Sequence, residues 1–207
     1  MNAIVKTRTQ TERLAQRRER LLDEGEKLFL SKGYAGASVN EIVRMAGGSL
    51  ATLYGEFGSK EGLFAEIMRR RASSIFDCDT AVCDRYKSPR AALHVLATRL
   101  LDKRLSDDFL ALYRIAVNEG PRFPALREAI VNGSFRGFIG TLAETLVELG
   151  FAKRKDGVVA AEEFVSLVHG TMLFRAACGH GAAITPKQRA QHVDRAVEAF
   201  MQLHPLR

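Results

Sequence analysis

Apolar residues recur at three- and four-residue spacing along most of this 207-residue chain, and clusters of Gly, Pro, Ser, Thr and Asp interrupt the pattern. No segment of strand length alternates apolar and polar positions, so the pattern predicts an all-α protein. The first helix spans Leu14 to Lys32, with Leu21, Gly25, Leu28 and Phe29 as its stripe and Gly33 as its stop. Ser38 opens a short second helix, with Glu41 at capping-box spacing and Ile42 and Met45 or Ala46 on its apolar face. Gly47 and Gly48 end that helix, because glycine enters left-handed backbone without a Cβ clash. Ser49 caps a third helix carrying Leu50, Ala51, Thr52, Leu53 and Tyr54. Ser59 caps a fourth, which buries Leu63, Phe64 and Ile67 and runs through Arg69-Arg70-Arg71 toward Phe76.

The rest of the chain reads the same way. Ser88-Pro89 starts a helix that buries Leu93, Leu96 or Ala97, Leu100 and Leu101, since proline suits the first helical position. Ser106-Asp107-Asp108 caps another, with Leu110, Tyr113, Ile115 and Val117, ending at Gly120-Pro121. Leu126 to Leu149 is the longest pattern and contains Gly133, Gly137 and Gly140, each costing about 1 kcal/mol relative to Ala in a helix interior. Close packing, room for a ligand or a kink would each account for them. Val158 to Ala177 follows, with Phe164, Leu167, Val168, Thr171 and Met172 as a stripe. Thr185-Pro186-Lys187-Gln188 combines a capping box with proline, and the last helix carries Val193, Val197, Phe200 and Met201. Residues 1–13 are polar and read as a mobile arm, set either to touch DNA or simply to stay solvated.

Two short helices meeting at a Gly-containing turn make a helix-turn-helix, the motif whose second helix enters the DNA major groove. Charge agrees: the net charge is +7, and residues 1–20 hold Lys6, Arg8, Arg13, Arg17, Arg18 and Arg20 against only Glu12 and Glu19.

The run Gly-Gly-Ser-Leu-Ala-Thr-Leu-Tyr-Gly-Glu-Phe-Gly-Ser-Lys-Glu-Gly-Leu-Phe from Gly47 to Phe64 resembles the DNA-binding signature of the TetR family of transcriptional repressors. The likeness extends from about Arg17 to Ile67. The segment Asn118 to Arg127 resembles, over a shorter span, a joint in the ligand domain of one subgroup. The resemblance implies an all-helical homodimer, with residues 1–65 as arm and DNA-binding domain and residues 66–207 as ligand-binding and dimerisation domain. It places Ser38, Tyr54 and Lys60 at phosphate-contacting positions. Ser49, Leu50, Ala51 and Thr52 occupy the exposed start of the recognition helix, whereas Leu53 and Phe57 pack inside. One departure stands out: Gly55-Glu56 replaces a usual bulky aromatic or His-like pair, and a carboxylate near phosphates is unfavourable.

The same resemblance implies a pocket in the middle helices, with Leu96, Leu100, Phe109, Tyr113, Phe135, Phe138, Leu142, Met172 and Phe174 as lining candidates. Core packing is the competing reading for each. The C-terminal stripes, Phe164, Leu167, Val168, Thr171, Val193, Val197 and Phe200, are the expected dimer interface. The implied function is a cytoplasmic repressor that leaves a palindromic operator when a small, mainly apolar effector binds, with Tyr113 or Thr141 as polar anchors. The alternative is a dimeric DNA-binding adaptor without a pocket.

Other chemistry finds little support. The chain has no Gly-rich phosphate loop, no His-Glu-x-x-His and no Gly-x-Ser-x-Gly. No cofactor or metal is expected, because Cys178 and His180 have no nameable third and fourth ligands. His169 reads as a satisfied core or interface histidine. Cys78 and Cys83 fall on different faces of a helix, which argues against a redox disulfide. The longest uncharged runs, residues 164–174 and 176–186, are short of the ~18 residues of a membrane span.

Overall fold

The computed structural model describes residues 2–73, 88–179 and 185–206, with side chains from Glu12 onward. All regular structure among the described residues is helical. Helix α1 spans Asn2–Gly36, α2 Val39–Ala46, α3 Leu50–Phe57 and α4 Lys60–Ser73. Then come α5 Pro89–Arg104, α6 Asp107–Glu119, α7 Pro124–Glu128, a π-helical stretch Ala129–Phe135, α8 Arg136–Glu148, a 3-10 turn Arg154–Asp156, α9 Gly157–His169, α10 Met172–Ala177 and α11 Pro186–Leu203. Residues 74–87, with Phe76, Cys78 and Cys83, lie outside the described residues, as does His180. No described helix is long and apolar enough to cross a membrane.

Two compact units form: Met1–Met68 with Ile115–Gly133, and Arg69–Arg114 with Ser134–Arg207. The first unit closes on the α1 stripe. Leu21, Leu22, Leu28 and Phe29 are buried, as are Ile42, Leu53, Leu63, Phe64 and Ile67. Gly25 permits this: a Cβ there would meet Leu63 Cδ2 at 3.1 Å. The backbone is already helical at Asn2, so the expected arm is instead a continuation of α1. Gly33 breaks that helix at φ 70, ψ 177, as its type predicts.

The second unit buries the stripes of α5, α8, α9 and α11 against one another. The predicted caps are present: Ser88 accepts from Ala91 N at 3.3 Å, Ser106 from Phe109 N at 3.4 Å, and Thr185 and Gln188 complete a capping box. Two expectations fail. The single helix Val158–Ala177 is broken at Gly170, whose φ 46, ψ −138 only glycine adopts readily, giving α9 and α10. The Leu126–Leu149 pattern is three pieces, because the backbone takes π-helical geometry from Ala129 to Phe135. Cβ atoms built at Gly133, Gly137 and Gly140 meet nothing within 4 Å among the described residues, so no close packing against those residues calls for glycine there.

Candidate functional site

The first site is the pair α2–α3. Gly47 takes the left-handed cap at φ 68, ψ 36, and Gly48 N–H donates to Val43 O at 3.0 Å. Ser49 caps α3: its Oγ accepts from Thr52 N at 3.1 Å and lies 2.9 Å from Thr52 Oγ1. Ser38 sits at the start of α2 but makes no cap hydrogen bond through its side chain. The expected capping box is not made, because Glu41 is engaged at 2.8 Å by Lys32 from α1. The Ser38 hydroxyl is therefore not committed to the helix.

Along α3, Leu53 is wholly buried and fixes the helix to the unit. On the other side Leu50 is 41% and Tyr54 48% exposed, with Ser49 and Ala51 exposed and Thr52 half-buried. These residues form a continuous outward face at the start of α3. Phe57 is half-buried rather than inside, with the Arg18 guanidinium 5.3 Å above its ring.

Arg18 answers the problem posed by Glu56. It pairs with Glu66 and lies 3.6 Å from Glu56 and 3.5 Å from Glu19. The Glu56 carboxylate is thereby drawn toward α1 and partly neutralised. Sequence spacing offered no route to this, since the partners are 38 and 48 residues from Arg18.

The junction after α3 explains the Phe57–Phe64 signature. Gly58 turns at φ 74 and Ser59 Oγ accepts from Gly62 N at 3.1 Å. Tyr34 O–H donates to Glu61 Oε1 at 2.6 Å, and the Lys60 ammonium stands 4.4 Å over the Tyr34 ring. Burial and the Glu61 carboxylate push the Tyr34 hydroxyl well above its ordinary value. Burial pulls the Lys60 ammonium down, against the opposing charges of Glu61 and Glu119. The structure thus holds Lys60 half-buried on an aromatic ring rather than extended beside Leu50 and Tyr54.

The second site lies in the second unit. A cleft of about 290 Å³ is lined by Arg69, Ala72, Ser73, Ser134, Gly137, Phe138 and Thr141. Of the expected lining it holds Phe138 alone, together with the suggested anchor Thr141. Leu96, Leu100 and Leu142 are core residues, and Met172 packs partly against them. Phe135 and Phe174 are 44% and 71% exposed, so they line no interior site. Phe109 is buried and stacks on Tyr113 at 6.1 Å.

Sequence reasoning missed Arg104. It is only 9% exposed, with its guanidinium 4.5 Å over Phe109 and 4.7 Å over Phe138. Its Nε and the Nε2 of His169 are buried with no hydrogen-bond partner among the described residues, so the expectation of a satisfied His169 is also corrected. Burial lowers the Arg104 guanidinium to about 10, against the influence of Tyr113. Burial, reinforced by the Arg104 charge, lowers the His169 imidazole to about 3.

The expected dimer stripe is mostly protomer core. Phe164, Val168, Val193, Val197 and Phe200 are at most 1% exposed in the single chain, Phe164 and Phe200 meeting edge-to-face at 5.0 Å. Leu167 packs partly against that core, and only Thr171 is exposed.

Residues 91–204 match the family model of the C-terminal domain of AefR-like transcriptional repressors, and residues 21–67 that of bacterial regulatory proteins of the tetR family. The HTH-type transcriptional repressor ComR of Escherichia coli (strain K12) is 30% identical over 95 residues, which are 46% of this chain and 40% of that protein. The uncharacterized HTH-type transcriptional regulator YvkB of Bacillus subtilis (strain 168) is 24% identical over 83% of this chain and 89% of its own. Among solved structures, a putative TetR-family transcriptional regulator from Mesorhizobium loti has a TM-score of 0.72 at 26% identity, over 92% of this chain and 98% of that one. The flavonoid-responsive regulator FrrA has a TM-score of 0.68 at 26% identity over the same shares.

Proposed function

The chain belongs to the TetR family of DNA-binding transcriptional regulators, which are not enzymes, and on that footing we propose that it is a homodimeric repressor. It binds a palindromic operator through residues 1–65 and is released when a small, mainly apolar effector enters residues 66–207. A cytoplasmic location follows from that role. The observation that carries the reading is the outward face of α3, where Ser49, Leu50, Ala51, Thr52 and Tyr54 stand clear of the core while Leu53 anchors it.

In this reading Ser38, Tyr54 and Lys60 hold phosphates, Lys60 after leaving the Tyr34 ring. The base-facing positions are poor in hydrogen-bonding groups. Leu50 and Ala51 offer only apolar contact, for instance to a thymine methyl, so operator choice rests partly on DNA shape. Ser49 and Thr52 are the polar positions, and the Ser49 hydroxyl is taken up by the α3 cap. Thr52→Ala keeps the α3 cap, which runs through the Thr52 backbone N–H, so the fold should be unchanged. Operator affinity should fall by about 1–3 kcal/mol with relaxed preference at one position per half-site. Fluorescence anisotropy against operator variants measures this; an equal loss on every sequence would make Thr52 a backbone contact.

The effector reading rests on the cleft around Phe138 and on Gly137 and Gly140, where a Cβ meets nothing within 4 Å among the described residues. Its volume sits at the low end of ligand sites, about 300–1,000 Å³, which suits a small molecule. The flavonoid-responsive relative supports an aromatic effector. Three helical segments carry the chain between the units: α4 crosses after Met68, α6 after Arg114 and the π-helical stretch after Gly133. An effector that favours one arrangement of these helices shifts the population by its differential affinity. That shift moves the two recognition helices off the about 34–36 Å spacing of successive major grooves.

Phe138→Trp should crowd the cleft, lower effector affinity about tenfold, the effect of roughly 1.4 kcal/mol, and leave operator binding nearly intact. Titrating flavone into protein bound to a labelled operator, for wild type and variant, reads both quantities. A folded Phe138→Trp protein that no longer binds operator without effector would remove Phe138 from the pocket wall. The adaptor alternative is favoured if no small molecule alters DNA binding.

A further inference from the structure

Four helices of the second unit bring Arg104, Phe109, Tyr113, Phe138 and His169 together, and this cluster is not explained by packing. Arginine is among the residues least often fully buried unless it is paired. Arg104 is 9% exposed, yet no carboxylate forms an ion pair with it among the described residues. Its guanidinium stands over the faces of Phe109 and Phe138, which accept a cation but cannot satisfy N–H donors. The Nε2 of His169, on α9, is a second buried nitrogen with no hydrogen-bond partner among the described residues. A buried charge and a buried polar atom left unmatched are each costly, and native interiors rarely keep them without a use. Phe138 lines the cleft, and the Arg104 guanidinium stands 4.7 Å over its ring.

We propose that the effector is an aromatic acid: its ring enters the cleft at Phe138, and its carboxylate pairs with Arg104, with His169 Nε2 completing the set. This rests on the effector reading above and narrows it. The anion supplies the countercharge that no described residue provides, so it binds preferentially to the arrangement in which Phe138 moves aside and Arg104 is reachable. That preference is the differential affinity a release mechanism needs. Bidentate pairing to a planar carboxylate suits a guanidinium, and the flanking rings suit an aromatic body. The neutral amide of the same shape lacks the charge and leaves Arg104 unmatched.

The test uses the full chain, isothermal titration calorimetry and operator anisotropy, with three probes: 2-naphthoate, 2-naphthamide and neutral flavone. The expected result is that 2-naphthoate binds at least about tenfold more tightly than 2-naphthamide and releases operator. Arg104→Met, similar in volume, should bind both at the amide's level. Thermal melting without ligand is the second measurement: Arg104→Met should melt at or above the wild-type temperature, because an unmatched buried charge has been removed. Equal affinity for acid and amide, no binding of 2-naphthoate, or undiminished acid binding by Arg104→Met would each overturn the proposal. So would a marked fall in melting temperature for that variant, which would make the stacked guanidinium a structural pillar. If flavone releases operator while the acid has no advantage over the amide, the effector reading stands and the acid inference alone fails.

Discussion

Gly62→Ala should destabilise the DNA-binding unit by about 3 kcal/mol or more, although it adds one methyl group to a helix-favouring site. The reason is a backbone contact. A Cβ at Gly62 would sit 1.9 Å from the carbonyl oxygen of Phe57 and 3.1 Å from its carbon. Phe57 is the last residue of α3, and Gly62 lies in the first turn of α4. No side-chain rotation relieves the clash, so the end of the recognition helix must move. The movement would disturb the Gly62 N–H bond to Ser59, the Lys60–Tyr34 contact and the burial of Leu63 and Phe64. The melting temperature should fall by about 10 °C, and operator binding should weaken even below the new melting point. Gly55→Ala is the control. It lies on α3, is exposed, and a Cβ there meets nothing within 4 Å among the described residues. It should raise stability by about 0.5–1 kcal/mol through helix propensity. Circular dichroism melts of the two variants test the argument; equal stability of Gly62→Ala and wild type would refute the geometry of the α3–α4 junction.

What was legible in the sequence was mostly local. The caps at Ser49, Ser59, Ser88, Ser106 and Thr185 each depend on a bond closed within four residues, and all five are present. The stops at Gly33 and Gly47 follow from the backbone freedom of glycine, and both take positive φ. The Phe57–Phe64 signature was readable as a pattern, whereas its cause, the Phe57–Gly62 approach, needs two helices to be placed.

The misses share one origin, competition from partners distant in the chain. Ser38 and Glu41 have capping-box spacing, but Lys32 from α1 takes the carboxylate. Glu56 looked repulsive to DNA until Arg18 was found beside it. Arg104 sits at the end of an amphipathic pattern, where a charged residue normally faces water. Nothing in its neighbours along the chain signals that Phe109 and Phe138 enclose it. The C-terminal stripes were expected to face a second copy of the chain, but an apolar stripe does not say what buries it. Here α5, α8, α9 and α11 of the same chain do so.

That reassignment carries the second large effect. Charges introduced at Phe164 and Val197 would now be expected to unfold the protomer, since both are 1% exposed within one chain. In the homodimer proposed above, the surface left for a partner is then the outward sides of α9 and α11. On α9 the buried positions are Gly157, Ala160, Ala161, Phe164, Val165 and Val168, so Val159 and Ser166 lie opposite. On α11 the buried positions are Val193, Ala196, Val197 and Phe200. Arg189 and Glu198 pair with Asp102 and Arg90 of α5, which marks one flank of α11 as turned toward that helix. Gln191, Arg195 and Gln202 remain on the outward side, and Val159 is 55% exposed, large and apolar. The pair Val159→Arg and Gln202→Arg changes only exposed positions, so the protomer should stay folded. Across a two-fold axis each new charge meets its own copy or an apolar neighbour, and an interface that must desolvate it loses several kcal/mol. Sedimentation should show a monomer with unchanged helix content. Operator affinity should drop about 100-fold or more, because the second half-site no longer benefits from the first. A double variant that remains a dimer with wild-type operator affinity would place the two-fold axis elsewhere on the second unit.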